Sequence, residues 1–521
     1  MTGRRARRAV ALAAAVGLVV SAAASVGAAD NAAANEGAAT PAQGGEIVVG
    51  TVFDVFGLEP TTFLSGTHDL FIGMGLYDPL AIRTAEGVVE PWLAESIATD
   101  DQQTYTITLH DGVMFQDDTP VDAEAVKFNI ERHMDPANES RALGQASNIE
   151  SVTVVDPLTV EIKLKFPWTV FPEVLSGTMG FIASPTAVAG GNINTEPVGS
   201  GPYRLEERVP GDHTTLVRNE DYWREGEPYL DRITFRVMLD NDVRQTSVAN
   251  GEIQVAQSIR ADTLADADAA DGLWASVTAG NGNTIHMNNS VAPMDDVRVR
   301  RALAHAVDYE ALNTVIFSGA AEVTHSFIEA DSPFNDPTVE WPEFDSSQAQ
   351  ELVDEYEAEV GPIAFEFRCF NEPAWVQLSE LVTQMWTAVG IDVTVNITDQ
   401  NSFALDVFQG EYSVACYATS VATTDPDLMF YNQLYSTSPT NNSRYVNPEM
   451  DAALDVGRTS TDEATRAEAY STVQHMLATD VPFFQYLASP WGWVVVDGVG
   501  GLDSLQNAGF APGLVYLEAE G

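Results

Sequence analysis

The chain has 521 residues, enough for two or three domains, and its 45% hydrophobic content excludes a disordered chain. Its formal net charge of −51, from 76 acidic against 25 basic residues, excludes nucleic acid as a partner, because phosphate needs neutralising cations. The acidity is spread along the whole chain, so a salty habitat explains it better than a dedicated cation site.

Residues 1–29 read as an export signal. Arg4, Arg5, Arg7 and Arg8 precede the apolar run 9–20, and Gly27-Ala28-Ala29 offers small residues for cleavage. The run is short for a bilayer span. The paired arginines raise a twin-arginine route, but no Phe-Leu-Lys follows them, so the general route is preferred. Residues 30–45 are rich in Ala, Gly and Asn and form a flexible leader. No cysteine follows the signal to carry a lipid anchor; the only two are Cys369 and Cys416.

The mature chain opens with a buried-type strand, 46–51, then a helix over 70–80 stopped by Pro79. Strict alternation marks a strand at 104–109. A helix starts near Asp122, and a hairpin at 152–155 and 159–164 turns at Asp156-Pro157. Strands follow at 204–207, 214–218 and 233–238. Asp295 or Asp296 caps a helix with Val299, Leu303, Ala306 and Val307 on one face. Arg298, Arg300 and Arg301 crowd its first turns against the helix dipole, and pairing with surrounding carboxylates accounts for them better than ligand contact. Strands at 363–370, 391–397 and 412–417 alternate with helices at 378–389 and 402–409, the pattern of a mostly parallel α/β sheet. A helix at 462–478 and an aromatic strand region at 482–496 complete the series.

Seven landmarks run in a fixed order: Tyr77-Asp78-Pro79-Leu80; Trp92-Leu93-Ala94; Gly112, Val113 and Phe115; Val198-Gly199 with Gly201-Pro202-Tyr203; Asn219 with Tyr222-Trp223; the 298–308 helix; and Asp425-Pro426-Asp427. This series resembles the family 5 extracellular solute-binding proteins, the peptide- and nickel-type receptors of bacterial ABC importers. The resemblance implies a periplasmic-binding-protein fold of type II, with two α/β lobes joined by a hinge. Lobe I would hold 46–75, 198–283 and the return 488–521, with an extra α+β subdomain at 76–197. Lobe II would hold 284–487. It further implies an exported, monomeric receptor that docks on the importer's permease subunits and closes on a peptide or peptide-like solute without catalysis or cofactor. A non-peptide solute is the alternative.

Ligands of open α/β sheets lie at the carboxyl ends of strands. Arg368 and Cys369 end one strand, and Cys416 and Tyr417 another. In the family's sheet order these strands are neighbours, which would set the cysteines side by side at the cleft wall, either bridged or as two buried thiols. Arg368 would clamp a ligand carboxylate or pair with Glu366 or Glu372. Tyr417, Thr419, Ser420 and Asn401 would face the ligand from lobe II, and Ser65, Thr67 and His68 from lobe I. Trp491 and Trp493 lie near the return crossing, as interlobe packing or a ring platform. Asn401 and Thr419 stand where relatives carry stacking Trp, and 420–424 lacks the relatives' amine-binding aspartate. Asp425 reads as a structural cap. A secreted hydrolase is the rival class, but neither HExxH nor GxSxG occurs. No His/Cys cluster has metal spacing, and the acidic run 266–271 reads as a solvated face.

Overall fold

The apolar run Glu46–Thr51 forms β1, which lies between two parallel neighbours, as a strand buried on both faces should. The computed structural model describes residues 40–63, 68–85, 87–420, 425–502 and 510–519. The export segment 1–29 and the leader up to residue 39 lie outside them. Residues 41–521 pack as one unit.

The strands of the two main sheets follow in chain order. After β1 come β2 (Ala94–Ala98), β3 (Thr104–Leu109), β4 (Ile149–Asp156) and β5 (Thr159–Leu164). Then come β6 (Tyr203–Val209), β7 (His213–Arg218), β8 (Arg232–Val237), β9 (Val255–Ser258) and β10 (Leu273–Met287). The last are β11 (Ala364–Phe370), β12 (Asp392–Thr398), β13 (Val414–Ser420) and β14 (Phe483–Val496).

One ten-stranded sheet, in the order β12-β11-β13-β10-β14-β9-β1-β8-β7-β6, runs through both lobes. It is mixed rather than mostly parallel. The pairs β1–β8, β1–β9, β11–β12 and β11–β13 are parallel. The remaining pairs are antiparallel: β6, β7 and β8 follow one another as a meander, and the long strands β10 and β14 carry the chain across and back. β14 pairs with β9 of lobe I through Gly492–Val495, and β10 pairs with β13 of lobe II through Asn281–Met287. These two strands join the halves.

Lobe I packs Ile47, Val49, Phe71, Leu216, Phe235 and Trp493 into one core and Val248, Ile253, Leu264 and Val494 into a second. Lobe II has two, one on each side of its strands: Ile285, Leu303, Phe367 and Trp386 in the first, Phe327, Phe430, Tyr470 and Phe483 in the second. The antiparallel sheet β2-β3-β5-β4 packs with the helix Ala123–Met134 around Tyr105, Ile107, Val126 and Trp168.

Capping residues set the helix starts. Asp122 accepts from Ala125 N at 2.9 Å, and Asp296 from Arg298 N at 2.8 Å. Glu372 caps Pro373–Ala388 with Pro at the first helical position, so this helix begins earlier than its apolar periodicity suggested. The helix His68–Leu76 stops before Asp78, because a residue preceding proline avoids helical torsions. Arg298 pairs with Asp296 (2.8 Å) and Glu359 (2.9 Å). Arg300 instead donates to the carbonyls of Asp480 and Met294, both at 2.9 Å. Asp266 and Asp268 are exposed on the helix Ala261–Ala269.

At the joint between the four-stranded sheet and lobe I sits Asp78, 1% exposed. It accepts four hydrogen bonds at 2.9 Å each, from Trp92 Nε1, Ser200 Oγ, Tyr222 OH and Trp223 Nε1. Burial pushes its carboxyl pKa up, and the four donors pull it back.

Candidate functional site

The halves meet where the carboxyl ends of β1 and β11 face each other. Phe53, just past β1, meets Phe370, the last residue of β11, edge to face with centroids 5.9 Å apart. Asp262 of lobe I holds Arg260 (2.6 Å) and accepts from Ser318 Oγ of lobe II at 3.3 Å. Arg244, 1% exposed, donates to the carbonyls of Gln257 and Leu239, both at 2.9 Å, and to that of Met238. Burial lowers its pKa to about 10. Across from it, burial raises the pKa of Glu372, while its helix-capping bonds and then Arg244 and Arg260 pull the other way.

Arg368 lies on β11 with its guanidinium committed to two carboxylates. Nε and Nη2 donate to Glu366 at 3.0 and 2.6 Å, and Nη1 donates to Asp406. Its partners are therefore Glu366 and Asp406, not Glu372. The pairing of Arg368 with Ala415 sets Cys369 opposite Cys416, with Cα atoms 5.3 Å apart and the sulfurs joined as a disulfide. Both cysteines are fully buried in the core of lobe II rather than set on a cleft wall, because they share their strand faces with the core residues Phe367 and Val414.

Tyr417 and Thr419 share one face of β13 with His286 of β10. Thr419 Oγ1 lies 3.5 Å from His286 Nε2, and the Tyr417 and His286 ring centroids are 4.5 Å apart. Tyr417 OH accepts from Asn442 Nδ2 at 3.1 Å. His286 is fully buried and stacks on Phe483 at 4.7 Å, and desolvation lowers its pKa to about 3, so it is neutral. Gln485 donates to Ser326 O at 2.9 Å. Thr284 Oγ1, His286 Nδ1 and Gln485 Oε1 have no protein partner on this buried polar seam. Sequence reasoning missed His286 and Gln485. Their signal was a polar residue at alternate positions of two apolar runs, 284–287 and 483–487.

Ser65 and Thr67 lie outside the described residues. His68 opens the helix His68–Leu76, Asn401 lies in the helix Gln400–Gln409, Ser420 ends β13, and Trp491 pairs with Thr278 on the crossing strands. The side chains of these four are also outside the described set. Trp493 is buried in lobe I against Phe71 and Phe510, both at 5.2 Å, as packing. Asp425 is gripped by Arg466 at 2.6 and 2.7 Å and accepts from Asp427 N at 3.0 Å.

Residues 88–441 match the family described as bacterial extracellular solute-binding proteins, family 5 Middle. The glutathione-binding protein GsiB of Salmonella paratyphi A is 30% identical over 494 residues, covering 90% of this chain and 93% of that protein. Among solved structures, Helicobacter pylori DppA with the peptide STSA superposes with a TM-score of 0.83 at 21% identity, covering 92% of this chain and 99% of that one. Bacillus subtilis AppA with a nonapeptide gives 0.82 at 20% identity, covering 92% and 100%. The two-lobed sheet and the landmark series thus have one source: the chain belongs to the family 5 bacterial extracellular solute-binding proteins.

Proposed function

We propose that this protein is the extracytoplasmic receptor of an ABC importer, and that it captures a peptide or peptide-like solute of about tripeptide size. The observation that carries this reading is the similarity, along nearly the whole chain, to glutathione-binding relatives. The receptor acts as a monomer, without catalysis or cofactor, and docks on the permease when closed. The division into lobe I (46–75, 198–283, 488–521) with its subdomain (76–197) and lobe II (284–487) belongs to the same reading, and the separate apolar cores support it.

The mechanism follows from two halves joined by β10 and β14. A solute held by one lobe alone binds the open and closed forms equally and shifts nothing. A solute that touches both adds contacts in the closed form and draws the population toward it. Contacts between the strand ends, such as Phe53 with Phe370, are of the kind that closure makes.

The test is mass spectrometry of co-purifying solutes, followed by melting-shift titrations with reduced and oxidised glutathione and a set of di- and tripeptides. A peptide at 100 times its Kd should stabilise by about 2.7 kcal/mol. No shift with any peptide, alongside a shift with a sugar or metal chelate, overturns the substrate class. Arg368→Ala serves as the control. With its guanidinium held by Glu366 and Asp406, the variant should melt earlier but keep the wild-type ligand shift. Loss of the shift would make Arg368 a ligand clamp instead.

A further inference from the structure

The four-stranded subdomain is bolted to lobe I. Beyond the Asp78 cluster, Arg132 Nη2 donates to Glu59 Oε1 at 2.7 Å, and Arg204 Nη1 donates to Gln116 O at 2.9 Å. Yet the subdomain also touches lobe II. Trp168, which follows β5, is fully buried, and its Nε1 donates to Asp427 Oδ2 at 2.8 Å. The two residues are 259 positions apart in the chain. Asp427 is held within lobe II by Arg458, whose Nε and Nη2 reach it at 2.9 and 3.0 Å. The Arg458 guanidinium lies between two rings, 4.7 Å from Trp168 and 3.3 Å from Tyr431. Leu428, next to Asp427, packs on the subdomain's core.

We propose that Trp168 is a closure latch, the group through which the subdomain holds lobe II in the closed arrangement. This rests on the lobe closure put forward above. Asp427 and Arg458 belong to the same lobe and keep each other in either form. The indole comes from the other side of the hinge, so its contact is made on closing and broken on opening. An indole buries a large area, and its N–H gains a charged acceptor, so breaking the contact wets both. A contact present in one form only sets the closed fraction before any solute arrives, and it slows solute release afterwards.

The test uses ligand-free protein, so an error in the solute class leaves it intact. Small-angle scattering compares wild type with Trp168→Phe, which keeps a ring and loses the N–H. Asp427→Asn is read the same way should the first variant fail to fold. Removing a hydrogen bond to a charged group should lower the closed-to-open ratio about tenfold or more, seen as a larger radius of gyration. A variant as compact as a closed wild type overturns the latch. If wild type is already extended, solvent exchange of the Trp168 indole proton decides. Free exchange supports the latch, and protection overturns it, because the subdomain would then travel with lobe II.

Discussion

Asp78 shows what one buried carboxylate can organise. Its four donors come from three separate stretches of chain, and all of them lose their acceptor together if it is removed. Asp78→Ala should therefore cost roughly 3 kcal/mol or more, because several buried donors are left unpaired at once. Differential scanning calorimetry checks this, and a melting temperature within a degree of wild type would contradict it. The buried histidines make a second prediction. His133 and His286 both have pKa values lowered to about 3 from 6.5, mainly by desolvation. Below 6.5 the unfolded chain binds protons that the folded chain does not. Stability is therefore complete above 6.5 and is lost as pH falls toward 3, by about 2 kcal/mol per histidine at pH 5. Glu173 works oppositely: burial raises its pKa to about 7, so its contribution falls as pH rises from 4.5 to 7. Comparing His286→Phe with wild type separates the two, and the variant should melt with a shallower acid dependence. Parallel pH curves would refute the assignment. At this scale the sequence was half legible. Tyr77-Asp78, Trp92 and Tyr222-Trp223 all stand in the landmark series and Ser200 does not, and nothing along the chain says that they converge on one carboxyl. Glu366, two positions from Arg368 on the same strand face, could be anticipated as its partner. Asp406, 38 residues away, could not.

Among the elements, β10 and β14 carry the greatest demand, since they cross between the halves and pair along most of their length. Gly492 of β14 lies against β10 so closely that a Cβ there would sit 2.0 Å from Ser276 O. That oxygen is main chain and cannot rotate away. Gly492→Ala should force the strands apart and destabilise by about 2 kcal/mol or more. It should also speed hydrogen exchange of the β10 amides, and exchange unchanged from wild type would count against the tight approach. β1, β3 and β5 were readable because their patterns announce one or two buried faces. The first part of β10 was not, because Gly280, Asn281, Gly282 and Asn283 look like a turn. Asn281, Gly282 and Asn283 are extended because β14 supplies partners on one side and β13 on the other, which tertiary pairing can impose on poor strand formers.

For the whole molecule, charge sets the behaviour. With 76 acidic residues against 25 basic ones, like-charge repulsion works against compaction unless salt screens it. The melting temperature should rise from low salt to molar sodium chloride, and a flat or falling curve would show that local ion pairs dominate instead. The fold class was legible because seven landmarks kept their order. The joining of both lobes in one sheet was not, because strand order is settled by pairing between distant segments. The cysteines carry a practical consequence. The sequence holds two, and both are spent on a bond sealed inside lobe II. A dye or spin label attached through one new thiol on each side of the hinge would meet no competing sulfhydryl, so the gape of this receptor can be measured directly, molecule by molecule.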